Sequence, residues 1–465
     1  MLKIRCYNKK PGIYINTIKL FVALCLFSAI SALINYTLPV AIRTVTITSF
    51  WLIGITFIVL LTLEYYVDRI FDFMILIISY IFKVTFIIIE FFGKNITSHD
   101  LLCFSVYSDG KVFWNLAIET FVTGVKTTHN NFPNILALIF KITGINIIPL
   151  MMINILLYHL FLITLIQIFY YLKIESSNYQ CPLLIATFMI YGNFLTLELL
   201  REAYYFFFIS WSFYYMTRYI YERKLSQFIA AIIITLPVLY LHDGYFIIPV
   251  VYLWHYIIIN NHKKNIQFIF DIVTLLFAVI FAISAKEIIL GYVFNRLNDK
   301  NIIETLITMA NDRTVRSGSE YLMWYKTNNI PELFVYMILK TFYYLFSPLP
   351  LEWRGIADVG AFIFDSCLQI LFFISLFKAK TILKANDYIE NNAKTIIVNM
   401  VGLIVILLAV VFGMGTMSAG TAMRHRDPII SMELVVVAIY IDSKRKKLLN
   451  NSYCEVRKNV ENTNR

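Results

Sequence analysis

The sequence predicts an all-α, polytopic membrane protein, and three observations carry that prediction. Hydrophobic residues fill 59% of the 465 positions and only 15% are charged, with a mean hydropathy of +0.70. That is more apolar side chain than a water-soluble core needs. Apolar runs long enough to cross a bilayer recur along most of the chain. The basic residues behind the formal net charge of +11 sit in short segments flanking those runs. Spread over a polar domain they would suggest nucleic acid; here they read as orientation signals and contacts to anionic membrane lipids.

A crossing helix needs roughly 20 apolar residues. Candidates lie at 18–42, 47–67, 70–93, 148–172, 182–199, 203–221, 225–241, 244–260, 266–288, 357–377, 395–414 and 428–441, about twelve spans. The first follows MLKIRCYNKKPG, exceeds a secretory signal core and lacks a small-residue cleavage site, so it reads as a retained span. Because basic loops stay in the cytoplasm, Lys3, Arg5, Lys9 and Lys10 place the N-terminus inside, and Lys444, Arg445, Lys446 and Lys447 do the same for the C-terminal end. Two cytoplasmic ends require an even number of crossings. The segment 333–346, LFVYMILKTFYYLF, is short and contains Lys340, so it reads as an interfacial or re-entrant helix. The outcome is one transmembrane domain, 1–449, with interfacial helices in two large periplasmic loops at 94–149 and 289–356, and a disordered cytoplasmic tail at 450–465. In the first loop Trp114, Ala117, Ile118, Phe121, Val122 and Val125 share one helix face, which would lie flat on the membrane surface.

The polar residues that face outward in this topology are the candidates for chemistry. Asp109, in YSDG, stands beside a glycine at the start of the amphipathic helix and is the first candidate for a catalytic carboxylate; an N-cap is its plain alternative. Asp100, in TSHD beside His99, is the second catalytic candidate. Arg201 is paired in sequence with Glu202 between two spans with no room for a loop. Ionisable groups at an apolar boundary are costly, so they signal substrate binding or a snorkelling cluster with Glu198. His242 and Asp243, in LHDG, suit proton handling or simply a turn with Gly244 at positive φ. GTAMRHRDP places Arg424, His425 and Arg426 at the outward mouth of the last helix, where guanidinium forks suit phosphate oxygens or anchor to lipid headgroups. Six scattered cysteines and seven histidines show no metal or redox spacing. No cofactor is expected, although a divalent metal at the carboxylates stays open.

In layout, YSDG, FPNILALIFKITGIN and AGTAMRHRDP resemble integral-membrane glycosyltransferases of the GT-C class. The stretch LREAYYFFFISWSFYYMTRYIYERK, then LHDGYFIIP, and the proline corner SPLPLEW look like the O-antigen and exopolysaccharide polymerases of bacterial polysaccharide clusters. The likeness covers most of the chain in layout and a few short motifs in sequence. It implies a multi-pass protein of the bacterial inner membrane. Such a protein transfers sugar from a polyprenyl-(pyro)phosphate-linked saccharide at the periplasmic face, in lipopolysaccharide, O-antigen or capsule biosynthesis, beside other polysaccharide-assembly proteins. By the same resemblance Asp109 would deprotonate the acceptor, and Arg424 and Arg426 would hold donor phosphate. The acidic loop follows the third span here, where the GT-C pattern has it after the first, and no DXD motif is present.

Two other readings remain open. A polymerase joining lipid-linked repeat units is favoured if the arginines outweigh Asp109. A polysaccharide transporter or flippase needs polar residues at membrane depth, for which the sequence offers Lys83, Asp271, Asp365 and Asn399.

Overall fold

The computed structural model describes residues 13–93, 109–127, 131–260, 325–384, 389–416 and 418–463, with 307, 311, 321 and 322 as single positions. Helices and helical turns are the only elements among the described residues. In chain order they are α1 (Ile13–Thr37), α2 (Val40–Tyr66), α3 (Ile70–Gly93), α4 (Asp109–Thr123), α5 (Phe132–Thr143), α6 (Ile147–Tyr171), α7 (Ser176–Phe188), α8 (Ile190–Leu197) and α9 (Glu202–Glu222). They continue with α10 (Leu225–Leu241), α11 (Ile247–Asn260), α12 (Ile330–Phe346), α13 (Ile356–Ala361), α14 (Cys367–Lys384), α15 (Ile389–Gly415), α16 (Ala419–Arg426) and α17 (Ile430–Thr463).

Local chemistry explains the boundaries. Pro39 separates α1 from α2, because it has no N–H to continue the first helix. Gly144 ends α5 at φ 69°, a left-handed conformation that glycine adopts without steric cost, and its N–H reaches Phe140 O at 2.8 Å. Asn146 caps α6 by accepting from Ile148 N at 3.1 Å, while its amide donates to Thr48 on α2 at 3.0 Å. Asn329 caps α12 in the same way, accepting from Glu332 N at 2.9 Å.

α6 is the centre of the bundle. It is apolar on all sides, and it packs against α2, α3, α7, α8, α9 and α17, which leaves 78% of its apolar window buried. The corresponding shares are only 33% in α2 and 39% in α3. Their outward faces carry Ile53, Phe57, Ile78 and Phe82, each more than half exposed. A continuous apolar surface of this kind fits a lipid environment.

Among the described residues five helices are long and apolar enough to cross a membrane: Ile42–Tyr66, Ile70–Ile89, Ile147–Tyr171, Asp358–Leu383 and Asn391–Gly415. The described residues therefore do not supply the twelve or so spans expected from hydropathy. The reason is visible at 182–199, where Met189 is extended and splits the run into α7 and α8. Side chains replace helical bonds lost there: Asn193 Nδ2 donates to Thr187 O at 3.0 Å, and Tyr158 O–H donates to Ala186 O at 2.5 Å. α10 and α11 are likewise short, at 17 and 14 residues, with a 3₁₀ turn, Asp243–Phe246, between them. The expected span at 266–288 lies outside the described residues.

The segment 333–346, read as an interfacial or re-entrant helix, belongs to α12, which packs along α14 and α15 and is not among those five helices. Its Lys340 is buried, donating to Thr416 O at 2.8 Å beneath the Tyr321 ring. The face of α4 is rotated from the one expected: Gly110, Phe113, Ala117 and Thr120 are buried, whereas Val122 and Val125 are both 70% exposed. The helix docks onto α5 through Phe113–Phe132 and Trp114–Phe140 edge contacts instead of presenting its whole apolar stripe to a surface. Finally, α17 runs to Thr463, through the segment for which the sequence suggests a disordered tail.

Candidate functional site

Four segments far apart in the chain meet where α9 begins and α10 finishes. They are the start of α4, the turn 198–201, the turn 242–244 and α16. Arg424 on α16 ties them together, its Nε donating to Glu202 and its Nη1 to Asp109.

Each contributor is placed by a local cause. Gly110 brings α4 against the 198–200 turn: a β-carbon there would already touch Leu199 O at 3.4 Å, so a branched side chain would push the helix away. Asp109, the first residue of α4, is thereby held over α16. Asp109 is itself helical and so is not the N-cap. Asn154 on α6 pins the turn from below, its Nδ2 donating to Glu198 O at 2.9 Å. Arg201 reaches the end of α10, where Nη1 donates to Leu241 O at 2.9 Å. Its Nε is buried without a partner, as is Glu202 Oε2.

His242 and His425 form the aromatic side of the cluster. Their ring centroids are 5.0 Å apart, and His425 lies stacked on Phe412 at 4.7 Å. His242 Nδ1 accepts from Gly244 N at 3.1 Å, which puts the ring proton on Nε2. Tyr245 O–H donates to His425 O at 3.0 Å. Gly244 does not take the positive φ expected of it, since only Gly124 and Gly144 do so among the described glycines. Glycine is needed at 244 because a β-carbon would overlap the Phe412 ring at 2.6 Å. Asp243 is exposed on the same turn.

The electrostatics follow from crowding acids and bases in a half-dry place. Glu198 is pushed up to about 7 chiefly by burial; the Arg424 charge opposes the rise, and the charges of Glu202 and Asp109 add to it. His242 is held down to about 3 by burial and by the cations Arg201 and Arg424. Burial and the same neighbours hold His425 well below its ordinary value. Both imidazoles are therefore neutral near pH 7. Burial opposes the charge of Arg424, but Glu202 and Asp109 outweigh it and keep the guanidinium ionised. Chemically, the cluster offers one carboxyl poised to exchange a proton at neutral pH, two guanidinium groups, and aromatic faces.

Arg426 does not join this cluster. It points the other way and is 1% exposed. All five of its N–H groups are engaged: Nε and Nη2 with Asp365, Nη1 with Tyr344 O at 2.7 Å and Leu345 O at 2.8 Å, and Nη2 also with Ser347 O at 2.6 Å. A guanidinium with no donor left has none to offer a phosphate, so the expected substrate role at Arg426 is replaced by a structural one. Asp100 lies outside the described residues.

The sequence undervalued Glu198 and Glu202, which it offered only as partners for Arg201. Their i, i+4 spacing was the available signal, although the turn at 198–201 means that a helix does not hold them together. Among the described residues no group of three or more His, Cys, Asp or Glu is arranged to hold a metal ion. A separate cavity of about 280 Å³ between α11 and α15 is lined by Trp254, His255, Ile258, Ile396, Asn399 and Leu403, and shares no residue with the cluster. Comparison with protein-family models, with curated proteins and with solved structures returns no match.

Proposed function

We propose that the protein is a membrane glycosyltransferase acting on a polyprenyl-(pyro)phosphate-linked sugar at the periplasmic face of a bacterial inner membrane. One observation carries the reading: Asp109 from one part of the chain, and Glu198 and Glu202 from another, gather around Arg424 from a third. Acid and guanidinium groups in one place suit a reaction that removes a proton from an acceptor hydroxyl and leaves charge on a departing phosphate.

The roles can be divided. Glu198 is the better base, because a group titrating near 7 both accepts a proton at neutral pH and is free to do so half the time. Asp109 is 58% exposed and held in an ion pair with Arg424. It suits a placeholder that an incoming phosphate displaces from Arg424. Arg201, with its unpartnered Nε, is the second phosphate contact. The sidedness in this reading takes the basic turn Arg223–Lys224, at the other end of the 21-residue α9 and about 30 Å from the cluster at 1.5 Å per residue, as cytoplasmic.

The test is replacement of Glu198 by Gln and Arg424 by Lys in a producing strain, with membrane levels matched and surface-glycan length read on a gel. Truncated or absent units support transfer. Single complete units identify a polymerase instead, and unchanged glycans end both readings. Transport is favoured by one observation, Lys83, which is 0% exposed within a span and has only Ser79 (3.0 Å) and the Tyr158 ring as described contacts. In that case reconstituted vesicles would move the lipid-linked saccharide between leaflets without elongating it.

A further inference from the structure

Below the Arg424 cluster lies a second set of acids that glycosyl transfer does not use. Asp427, in the 3₁₀ turn Asp427–Ile429 between α16 and α17, is 1% exposed, and both of its carboxyl oxygens are buried without a hydrogen-bond partner. Glu433, one turn into α17 and 0% exposed, accepts from Gln369 Nε2 at 2.9 Å through one oxygen, while the other is buried and unpartnered. Asp365 completes the group from the segment Phe362–Ser366.

The groups facing Asp427 cannot neutralise it. From its own turn comes Arg426, already spent on Asp365 and three carbonyls. α17 and the 362–366 segment present Glu433 and Asp365, and α9 presents Glu202, all acids. α6 and α12 present the phenols Tyr158 and Tyr344. Lys83 lies on the ring of Tyr158, 4.0 Å from its centroid, and its described hydrogen bond goes to Ser79. Three buried carboxyls thus share a single guanidinium. An ionised carboxylate held dry without a donor is strongly disfavoured, and a proton removes the charge that makes it so.

We infer that Asp427 and Glu433 form a proton-binding pair buried in the helical bundle, reached from the Arg424 cluster through Glu202. The ligand is the proton itself. Glu202 is the natural link, since one of its oxygens holds Arg424 while the other is buried, unpartnered and within electrostatic reach of Asp427. The inference stands apart from the proposed transfer reaction and survives its failure.

Infrared difference spectroscopy on the full chain in lipid at pH 7 tests it. The protonated-carboxyl C=O stretch should be lost in Asp427→Asn, with no loss of a carboxylate band; loss of a carboxylate band instead overturns the inference. Should Asp427→Asn fail to fold, ¹³C-aspartate labelling of the unaltered protein decides. A label-shifted protonated-aspartate band supports the pair, and its absence at pH 7 overturns it. On transfer to D₂O that band should shift more than tenfold more slowly in Glu202→Gln. An unchanged exchange rate removes Glu202 from the route.

Discussion

Arg424 and Arg426 stand two residues apart on one short helix and do opposite things. An offset of two residues turns a side chain by roughly 200° about the helix axis, so the two leave on opposite faces. Arg424 meets carboxylates at the mouth of a cluster, one of them more than half exposed and replaceable. Arg426 meets a buried acid and three carbonyls, of which Ser347 O also accepts from Ser366 Oγ. The difference teaches that a guanidinium's role is set by what it leaves unsatisfied. Arg424 holds groups that a ligand can replace, whereas Arg426 closes the junction of α12, the 362–366 segment and α16.

The largest effect should come from Arg426→Ala. Removing one partner of a buried ion pair costs about 3–5 kcal/mol, because Asp365 would be left dry and unpaired. Thermal unfolding in detergent should show a large fall in midpoint or no folded protein. A stable Arg426→Ala variant that has lost only transfer would erase the contrast.

Arg424→Lys sharpens the contrast from the other side. The charge stays near Glu202 and Asp109, so unfolding should move by no more than about 1 kcal/mol. The planar fork is lost, and with it a donor aimed at developing charge, so transfer should fall roughly 10²-fold. Equal losses of stability at the two arginines would show that both are structural.

The acid–base predictions carry opposite signs. Glu198 titrates at about 7 in the fold against an ordinary 4.5. Transfer should therefore rise with pH through about 7, and Glu198→Gln should remove that rise along with roughly 10²-fold in rate. Between 4.5 and 7 the folded state keeps a proton that the unfolded state has released, so stability falls as pH rises across that window. His242, at about 3 against 6.5, works the other way: the unfolded chain takes up a proton first, and stability falls as pH drops from 6.5 towards 3. Unfolding followed against pH in Glu198→Gln and His242→Gln separates the two slopes.

The helical class was legible because composition and apolar run length report it directly. Span count was not, since hydropathy cannot see Met189 leaving the helix while Asn193 and Tyr158 satisfy the freed carbonyls. The candidate site was half legible: Asp109, Arg201, His242 and Arg424 stood out as charges beside apolar runs. Which way each pointed did not. RHR reads as one basic patch in sequence, and only the rotation of α16 sends Arg424 to the acidic cluster and Arg426 to the buried Asp365. The phase of α4 was lost for a similar reason. Trp114, Ile118 and Phe121 are as apolar as Phe113 and Ala117, and the nearness of Gly110 to Leu199 selects which stripe is buried.

The smallest effect should be Asp109→Asn, although the sequence makes Asp109 the first choice of base. Its carboxylate is 58% exposed, and an ion pair open to water contributes about 0–1 kcal/mol, so unfolding should scarcely move. If Asp109 only occupies Arg424 until phosphate arrives, its removal weakens a competitor for that guanidinium. Transfer should then change less than tenfold, mostly through KM, and the pH profile should keep its rise through about 7 because Glu198 still supplies it. A loss as deep as that of Glu198→Gln, with kcat falling and the pH rise abolished, would move the base from the 198–201 turn to the start of α4. The cluster would then depend on its exposed edge instead of its half-buried one.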